Sequence, residues 1–560
     1  LAYQLSHAGT EESAIRVLDV ATLETVDGPI DRTRFSSVAW LPGNSGFYYV
    51  RQLDPGTIPP DEAQYHRRVW LHRLGTDPAT DPVVFGDGRD KEYVWSVSMS
   101  RDGRWLVVSG SRGTDPRNDV YLADLLDGSI DAPAFQTIQE DVDAQTTVGV
   151  GIDGRLYVWT DRDSPRGRLL VGDPATPTRE HWRPLVEEDP EAVLSGFALI
   201  DQLDDPVLAV SWTRHAVSEI TLHDPVSGDH RAAIELPGLG SVGGLVTRYH
   251  GGHEMWFTYT DHVTPPVVQR YDGRLGEVSE WARPPGGIPV TSGPPTARLV
   301  SYASSDGTVV RMFVVRREDA PTPGPTILYG YGGFGVSMTP AYGAGVLAWV
   351  EAGGTYAVAC LRGGGEEGED WHRAGMLDGK QRVFEDLHAA AEWLVGEGLT
   401  SPAQLGISGG SNGGLLVGAA MTQRPELYRS VVCTAPLLDM ARFELHGLGR
   451  FWSGEYGTAA DAGQLRNLLS YSPYHRVRPG VAYPATLFTV FDSDTRVDPM
   501  HARKMCAALQ AATAADPPEA PILIRVETDV GHGARSVSRS IDLSADTLAF
   551  QAWCCGLSLA

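Results

Sequence analysis

Lysine is nearly missing from this chain of 560 residues: Lys91, Lys380 and Lys504 are the whole supply. Arginine carries almost all the positive charge, an imbalance that reads as coding bias rather than chemistry. Positive charge is also short overall, with 46 basic residues against 71 acidic ones and a net charge of −25. That balance argues against nucleic acid as a partner, because phosphates call for a basic face. It equally disfavours an anionic membrane surface. No run of about 18 apolar residues occurs, so no transmembrane helix is expected. Residues 1–10 show neither a basic start nor an apolar stretch, so no signal peptide is visible and a cytoplasmic location is the expectation. Cysteine is scarce as well. Cys360, Cys433, Cys506, Cys554 and Cys555 are odd in number and lack a framework spacing, which suits free thiols in a reducing compartment. No CxxC is present, and His250-Gly251-Gly252-His253-Glu254 lacks the HExxH spacing, so no metal site is expected.

What is present falls into two halves with different grammar, as a length beyond a single core requires. Up to about residue 285 the chain reads as short strands between turn clusters. In 95–125 the turn Asp102-Gly103 separates two apolar segments, as a hairpin requires. Related patterns recur at 35–51, 148–160, 197–224 and 244–272. The spacing of roughly 40–50 residues is the period of a four-stranded propeller blade, and about five or six such units can be counted. A Pro/Gly-rich stretch, Pro284-Pro285-Gly286-Gly287-Ile288-Pro289, then marks a boundary. It divides a β-propeller domain, 1–287, from an α/β domain, 288–560. In the second part compact apolar runs at 326–329, 355–360, 405–407, 485–490 and 522–526 alternate with helical patterns. Phe384, Leu387, Ala391 and Leu394 form one such helical face. This alternation means a mostly parallel sheet covered by helices.

The sharpest chemical signal is Gly409-Gly410-Ser411-Asn412-Gly413-Gly414, lying between the strand that ends at Ile407 and a helical stretch over 415–421. A nucleophile on a tight strand-to-helix turn needs small neighbours, and Ser411 is presented there with its hydroxyl exposed. The Asn412 amide is placed to help hold an oxyanion. An α/β-hydrolase needs its acid and histidine later, in the order Ser, Asp, His. Asp494 is the first choice to orient the imidazole, with Asp492 and Asp498 as competitors. His532, between Gly531 and Gly533 after the last apolar strand, is the expected general base. Two nucleotide-binding readings fail. Gly330-Tyr331-Gly332-Gly333-Phe334-Gly335 matches GxGxxG, but Pro340 interrupts the helix that a dinucleotide needs. Gly379-Lys380-Gln381 lacks the serine or threonine and the upstream glycine of a phosphate loop.

With these residues assembled, the chain resembles the prolyl oligopeptidase family. The matches are Leu328-Tyr329-Gly330-Tyr331-Gly332-Gly333-Phe334, Leu361-Arg362-Gly363-Gly364-Gly365-Glu366, the Ser411 motif, Asp494-Thr495-Arg496-Val497 and Gly531-His532-Gly533. The resemblance is dense from about 296 onward and looser through the first half. It implies an α/β-hydrolase catalytic domain joined to a seven-bladed propeller, and serine endopeptidase activity on short peptides, after proline. It assigns Ser411, Asp494 and His532 to the triad, and Tyr331 beside Asn412 to the oxyanion site. It further implies that Phe334, Trp452 and Tyr456 form the proline pocket and that Arg496 binds a substrate carbonyl. No metal or organic cofactor is implied, and the expected partners are short proline-containing peptides met by a monomer. Two departures stand out. Leu1 already lies in propeller-like sequence and at least one blade is absent, so upstream residues are expected to be missing. Thr495 stands where the family often carries a second acid. Rival readings are a relative preferring a basic residue or an acylated N-terminus, an esterase, and an inert scaffold. Glu455, beside the pocket aromatics, is the residue that keeps a basic preference in play.

Overall fold

The computed structural model describes residues 1–285, 293–533 and 535–558. Among these, the first half forms six small antiparallel sheets in which each strand pairs with the next in sequence. The first sheet has three strands, Ala2–Ser6, Ser13–Leu18 and Thr25–Ile30. The other five have four each, and the unit at Tyr93–Met99, Trp105–Arg112, Asp119–Asp124 and Phe135–Gln139 is typical. Its Asp102-Gly103 turn is closed by Gly103 N–H donating to the Ser100 carbonyl at 2.9 Å. Burial alternates along Tyr93–Met99, so one face of the strand packs and the other is open. Cores form between successive sheets. Tyr48, Val50 and Leu71 of the second pack with Trp95, Val97 and Tyr121 of the third, and Val107 and Leu122 of the third pack with Val148 and Val158 of the fourth. Sheets that bury both faces against their neighbours in this way are propeller blades.

The second half is built on one eight-stranded sheet. Its strands are β1 (Thr296–Ala303), β2 (Val309–Arg316), β3 (Thr326–Gly330), β4 (Thr355–Cys360), β5 (Leu405–Gly410), β6 (Ser430–Thr434), β7 (Ala485–Phe491) and β8 (Ile522–Glu527). The spatial order is β1-β2-β4-β3-β5-β6-β7-β8. Pairing is antiparallel at β1/β2 and β2/β4 and parallel from β4 to β8. Helices α1 (Ala344–Glu351), α2 (Glu369–Ala374), α3 (Lys380–Gly396), α4 (Asn412–Gln423), α5 (Met500–Ala512) and α6 (Val537–Cys555) belong to the same domain. Every residue of β7 is buried, and α3 buries Phe384, Leu387, Ala391 and Leu394 as its spacing required. This is the α/β-hydrolase arrangement, and it sets the carboxyl ends of β3, β5, β7 and β8 along one rim. All five cysteines are buried and unpaired. The expected boundary at 287/288 lies outside the described residues. Among those described, no helix is long and apolar enough to cross a membrane, and no cluster of potential metal ligands forms.

Candidate active site

The chain leaves β5 through Gly410 and turns at Ser411, whose φ of 57° and ψ of −118° are strained for any residue with a side chain. The glycines make that turn possible. A Cβ on Gly409 would overlap the Gly413 carbonyl, and one on Gly414 would lie 2.5 Å from the Pro436 ring. Ser411 thus precedes α4, and Asn412, as the first helical residue, has an N–H with no intrahelical acceptor. Tyr331 stands just past β3 on the same rim. Burial, together with Tyr329 and Glu455 nearby, pushes its phenol up to about 12 against the opposing pull of the Ser411 hydroxyl. It therefore remains a proton donor throughout the neutral range.

The loops after β7 and β8 bring the other two residues in. The Nδ1 of His532 bonds Asp494 Oδ2 at 2.7 Å, and Asp494 Oδ1 accepts the Arg496 and Val497 N–H groups at 2.9 Å each. Asp492 instead accepts from the Asp529 N–H at 2.8 Å, and Asp498 lies 3.6 Å from His446. Of the three candidate acids only Asp494 meets the imidazole. Among the described residues no hydrogen bond joins His532 to the Ser411 hydroxyl, and the two side chains share the wall of one cavity. Such contacts commonly tighten only when a substrate is bound.

That cavity measures about 320 Å³ and spans both domains. The hydrolase side contributes Tyr331, Phe334, Ser411, Leu437, Trp452, Arg496 and His532, and the propeller contributes Phe35, Val94, Gly113 and Thr114. Its walls are mostly apolar, which suits a compact ring without an N–H. Tyr456 is not on the wall, contrary to the expectation for a pocket aromatic. It is completely buried behind Phe334, in edge contact at 5.5 Å, and its hydroxyl donates to Asn412 Oδ1 at 2.8 Å. The reason is the short helix Ser453–Tyr456, which carries Tyr456 inward while Trp452, just before it, stays at the surface of the cavity.

Glu455 also points inward. Its carboxylate is 2% exposed and meets Lys380 Nζ at 3.0 Å and His372 Nε2 at 2.9 Å. Burial alone raises its pKa, but the two cations outweigh that and hold it low. His372 moves the other way: burial opposes its charge, yet Glu369 and Glu455 bring it up to about 9. This acid is held by internal partners and does not line the cavity.

Arg496 pairs with neither adjacent acid. Its Nε donates to Glu11 Oε2 at 2.7 Å, across the domain interface, and Glu11 also accepts from the buried Arg34 at 3.0 Å. Glu11 belongs to the turn at 7–12 between the first two propeller strands, which lies as a strap across the loops that carry Asp494 and His532. Thr495 Oγ1 donates to the Thr10 carbonyl at 2.6 Å, and Gly531 packs so closely on Gly9 that no side chain would fit. Sequence reasoning missed this strap, the propeller residues in the cavity, and Lys380 and His372 beneath it. Further contacts tie the domains around the site. Thr114 N–H donates to the Phe451 carbonyl at 2.9 Å, Arg373 pairs with Asp143 at 2.7 Å and Arg450 with Glu92 at 2.6 Å.

Comparison with known proteins agrees over both halves. The model of the prolyl oligopeptidase N-terminal β-propeller domain matches residues 1–284, and that of the prolyl oligopeptidase family matches 341–558. Prolyl endopeptidase of Elizabethkingia meningoseptica is 34% identical over 98% of this chain and 76% of its own length. Prolyl oligopeptidase ophP of Omphalotus olearius is 32% identical over 95% of this chain and 71% of its own. Among solved structures, one from a study of two prolyl endopeptidases superposes with a TM-score of 0.92 at 40% identity, covering 100% of this chain and 80% of that one.

Proposed function

The chain belongs to the prolyl oligopeptidase family and is a serine-type peptidase, and from that premise we propose that it cleaves short peptides on the carboxyl side of proline through an acyl-enzyme on Ser411. In this reading His532 takes the Ser411 proton as the oxygen attacks the scissile carbonyl, then returns it to the leaving amine. Asp494 holds the imidazole with Nδ1–H donating and steadies the cation that forms. The oxyanion receives the Asn412 N–H and the Tyr331 hydroxyl. A water then repeats the cycle on the acyl-enzyme, with His532 again as base.

The proline ring would lie in the apolar slot against Trp452 and Phe334, and Arg496, braced by Glu11, would donate to a substrate carbonyl. The observation that carries the reading is the convergence of Ser411, His532, Tyr331 and Trp452 on one largely apolar cavity. A preference for basic residues loses its support, because Glu455 is neutralised away from the wall. Propeller residues form part of that wall, which favours flexible peptides over folded proteins. Five unpaired thiols suit the cytoplasm.

The test is hydrolysis of a blocked Gly-Pro chromogenic amide beside its Gly-Arg counterpart, with Ser411→Ala as control. Cleavage of the proline amide alone, abolished in the variant, is expected. Cleavage of the arginine amide would overturn the pocket, and hydrolysis of esters with both amides untouched would make it an esterase.

A further inference from the structure

Lys380 is one of three lysines in the chain, it is 1% exposed, and no step of the reaction uses it. Burying an ammonium group costs several kcal/mol unless each proton finds a partner. Here Nζ donates to Glu455 at 3.0 Å and to the Gly332 carbonyl at 2.9 Å, and it faces the Tyr456 ring at 5.2 Å. Glu455 already has a cation in His372, so the second contact is the informative one. Gly332 directly follows Tyr331.

The segment Tyr331-Gly332-Gly333 is gripped from two helices. Asn412, at the start of α4, donates its side-chain amide to the Tyr331 carbonyl at 2.6 Å, and Tyr456 holds that amide from behind. Lys380, at the start of α3, holds the next carbonyl along. Gly332 has φ of 64° and Gly333 has no room for a Cβ, which would lie 2.6 Å from Asn412 Nδ2. Two successive glycines leave the backbone intrinsically loose, so its conformation depends on these anchors. A rotation of about 10° at Tyr331, acting over a side-chain lever of about 6.5 Å, moves the hydroxyl by about 1 Å, and a misplacement of that size can cost on the order of 10²-fold in rate.

We propose that Lys380 is a positioning residue for Tyr331: with Glu455 and His372 as its buried charge partners, it fixes the Gly332 carbonyl and so sets the phenol at the oxyanion site. The proposal rests on the reading of Tyr331 as an oxyanion donor, and its test separates the two.

The experiment is a double-mutant cycle of Lys380→Met and Tyr331→Phe, with kcat and KM measured on the blocked Gly-Pro amide. Loss of an oxyanion donor predicts a fall of roughly 10²–10³ in kcat for Tyr331→Phe. Lys380→Met is expected to lower kcat by about 10- to 100-fold with KM changed less than about threefold. The double variant should be no worse than Tyr331→Phe alone, within about threefold, because a misplaced phenylalanine loses nothing more. If the two losses multiply, or if Lys380→Met leaves kcat intact, the positioning role is wrong. If Tyr331→Phe is fully active, the oxyanion assignment fails, and the proposal with it. Should Lys380→Met not fold, Glu455→Gln runs the same cycle: it keeps the volume but takes the counter-charge from Lys380. Its kcat loss must likewise vanish in the Tyr331→Phe background, and a loss that persists there overturns the proposal.

Discussion

Replacing Trp452 with alanine should erode the preference for proline rather than activity in general. Trp452 lines the cavity together with Phe334 and Leu437, so it is taken to cover one face of a bound ring. Proline differs from alanine, at the residue supplying the acyl group, by two ring methylenes. At about 0.8 kcal/mol each, full burial of both is worth about 1.6 kcal/mol, or roughly 15-fold in kcat/KM. Losing a single face re-wets about half of that surface, which corresponds to about fourfold. The ratio of kcat/KM on Gly-Pro and Gly-Ala amides should therefore fall by between about 4- and 15-fold in Trp452→Ala. Trp452 also packs against the hydrolase core, so some loss of stability is expected. Because both substrates meet the same enzyme preparation, an inactive fraction cancels from the ratio. An unchanged ratio, with both rates reduced alike, would show that Trp452 is packing and that proline is recognised elsewhere.

Three further outcomes follow from contacts around the site. His372 is raised from 6.5 to about 9 in the folded state, so its stabilising charge is fully present below about pH 6.5 and is lost as the pH climbs through 9. The melting temperature of the wild type minus that of His372→Gln should shrink over this interval, and a difference independent of pH would contradict the buried ion pairs. Gly531→Ala forces a methyl group into the Gly9 carbonyl. It should cost at least about tenfold in kcat by pushing His532 out of line, since reacting groups tolerate little displacement, and kcat within twofold of wild type would mean that the strap yields freely. Glu11→Gln removes the charge shared by Arg496 and Arg34. It should raise KM several-fold with kcat nearly unchanged, the pattern of weakened ground-state binding. A fall in kcat at constant KM would place Arg496 in the chemical step.

The candidate catalytic groups were legible because each sits in a local pattern with its own chemistry. Ser411 has four glycines around it, three of which, Gly409, Gly413 and Gly414, leave no room for a Cβ, and His532 has one on either side. Five of the eight strands in the second half could be anticipated from apolar runs such as 485–490, whereas Thr296–Ala303, Val309–Arg316 and Ser430–Thr434 and the spatial order of the sheet were not. Asp494 was the first choice among three acids, and the resemblance favoured it too, but Asp492 and Asp498 stayed in competition on the residues alone, since which carboxylate faces an imidazole 38 residues away is a matter of loop geometry. The same limit explains Glu455 and Tyr456. Both stand beside the pocket in sequence, and only the short helix that carries them shows that they turn inward, toward partners as distant as His372 and Lys380. Glu11 was invisible for a stronger reason: its partner Arg496 lies 485 residues along the chain, and nothing in a surface turn announces such a contact. The blades were counted approximately because their turns vary, and the three-stranded first sheet has no distinct signature.

The strap at 7–12 has a bearing on how the protein could be rebuilt. Because the propeller supplies cavity wall at Phe35 and Thr114 and braces the loops that carry Asp494 and His532, it is no detachable filter set over a finished enzyme. A hydrolase half made alone would be missing one side of its own site, and a propeller borrowed from a relative would bring a turn cut to a different partner. Widening the entrance to admit larger peptides is therefore a problem of redrawing the seam between the halves, with the strap kept whole, and not one of exchanging parts.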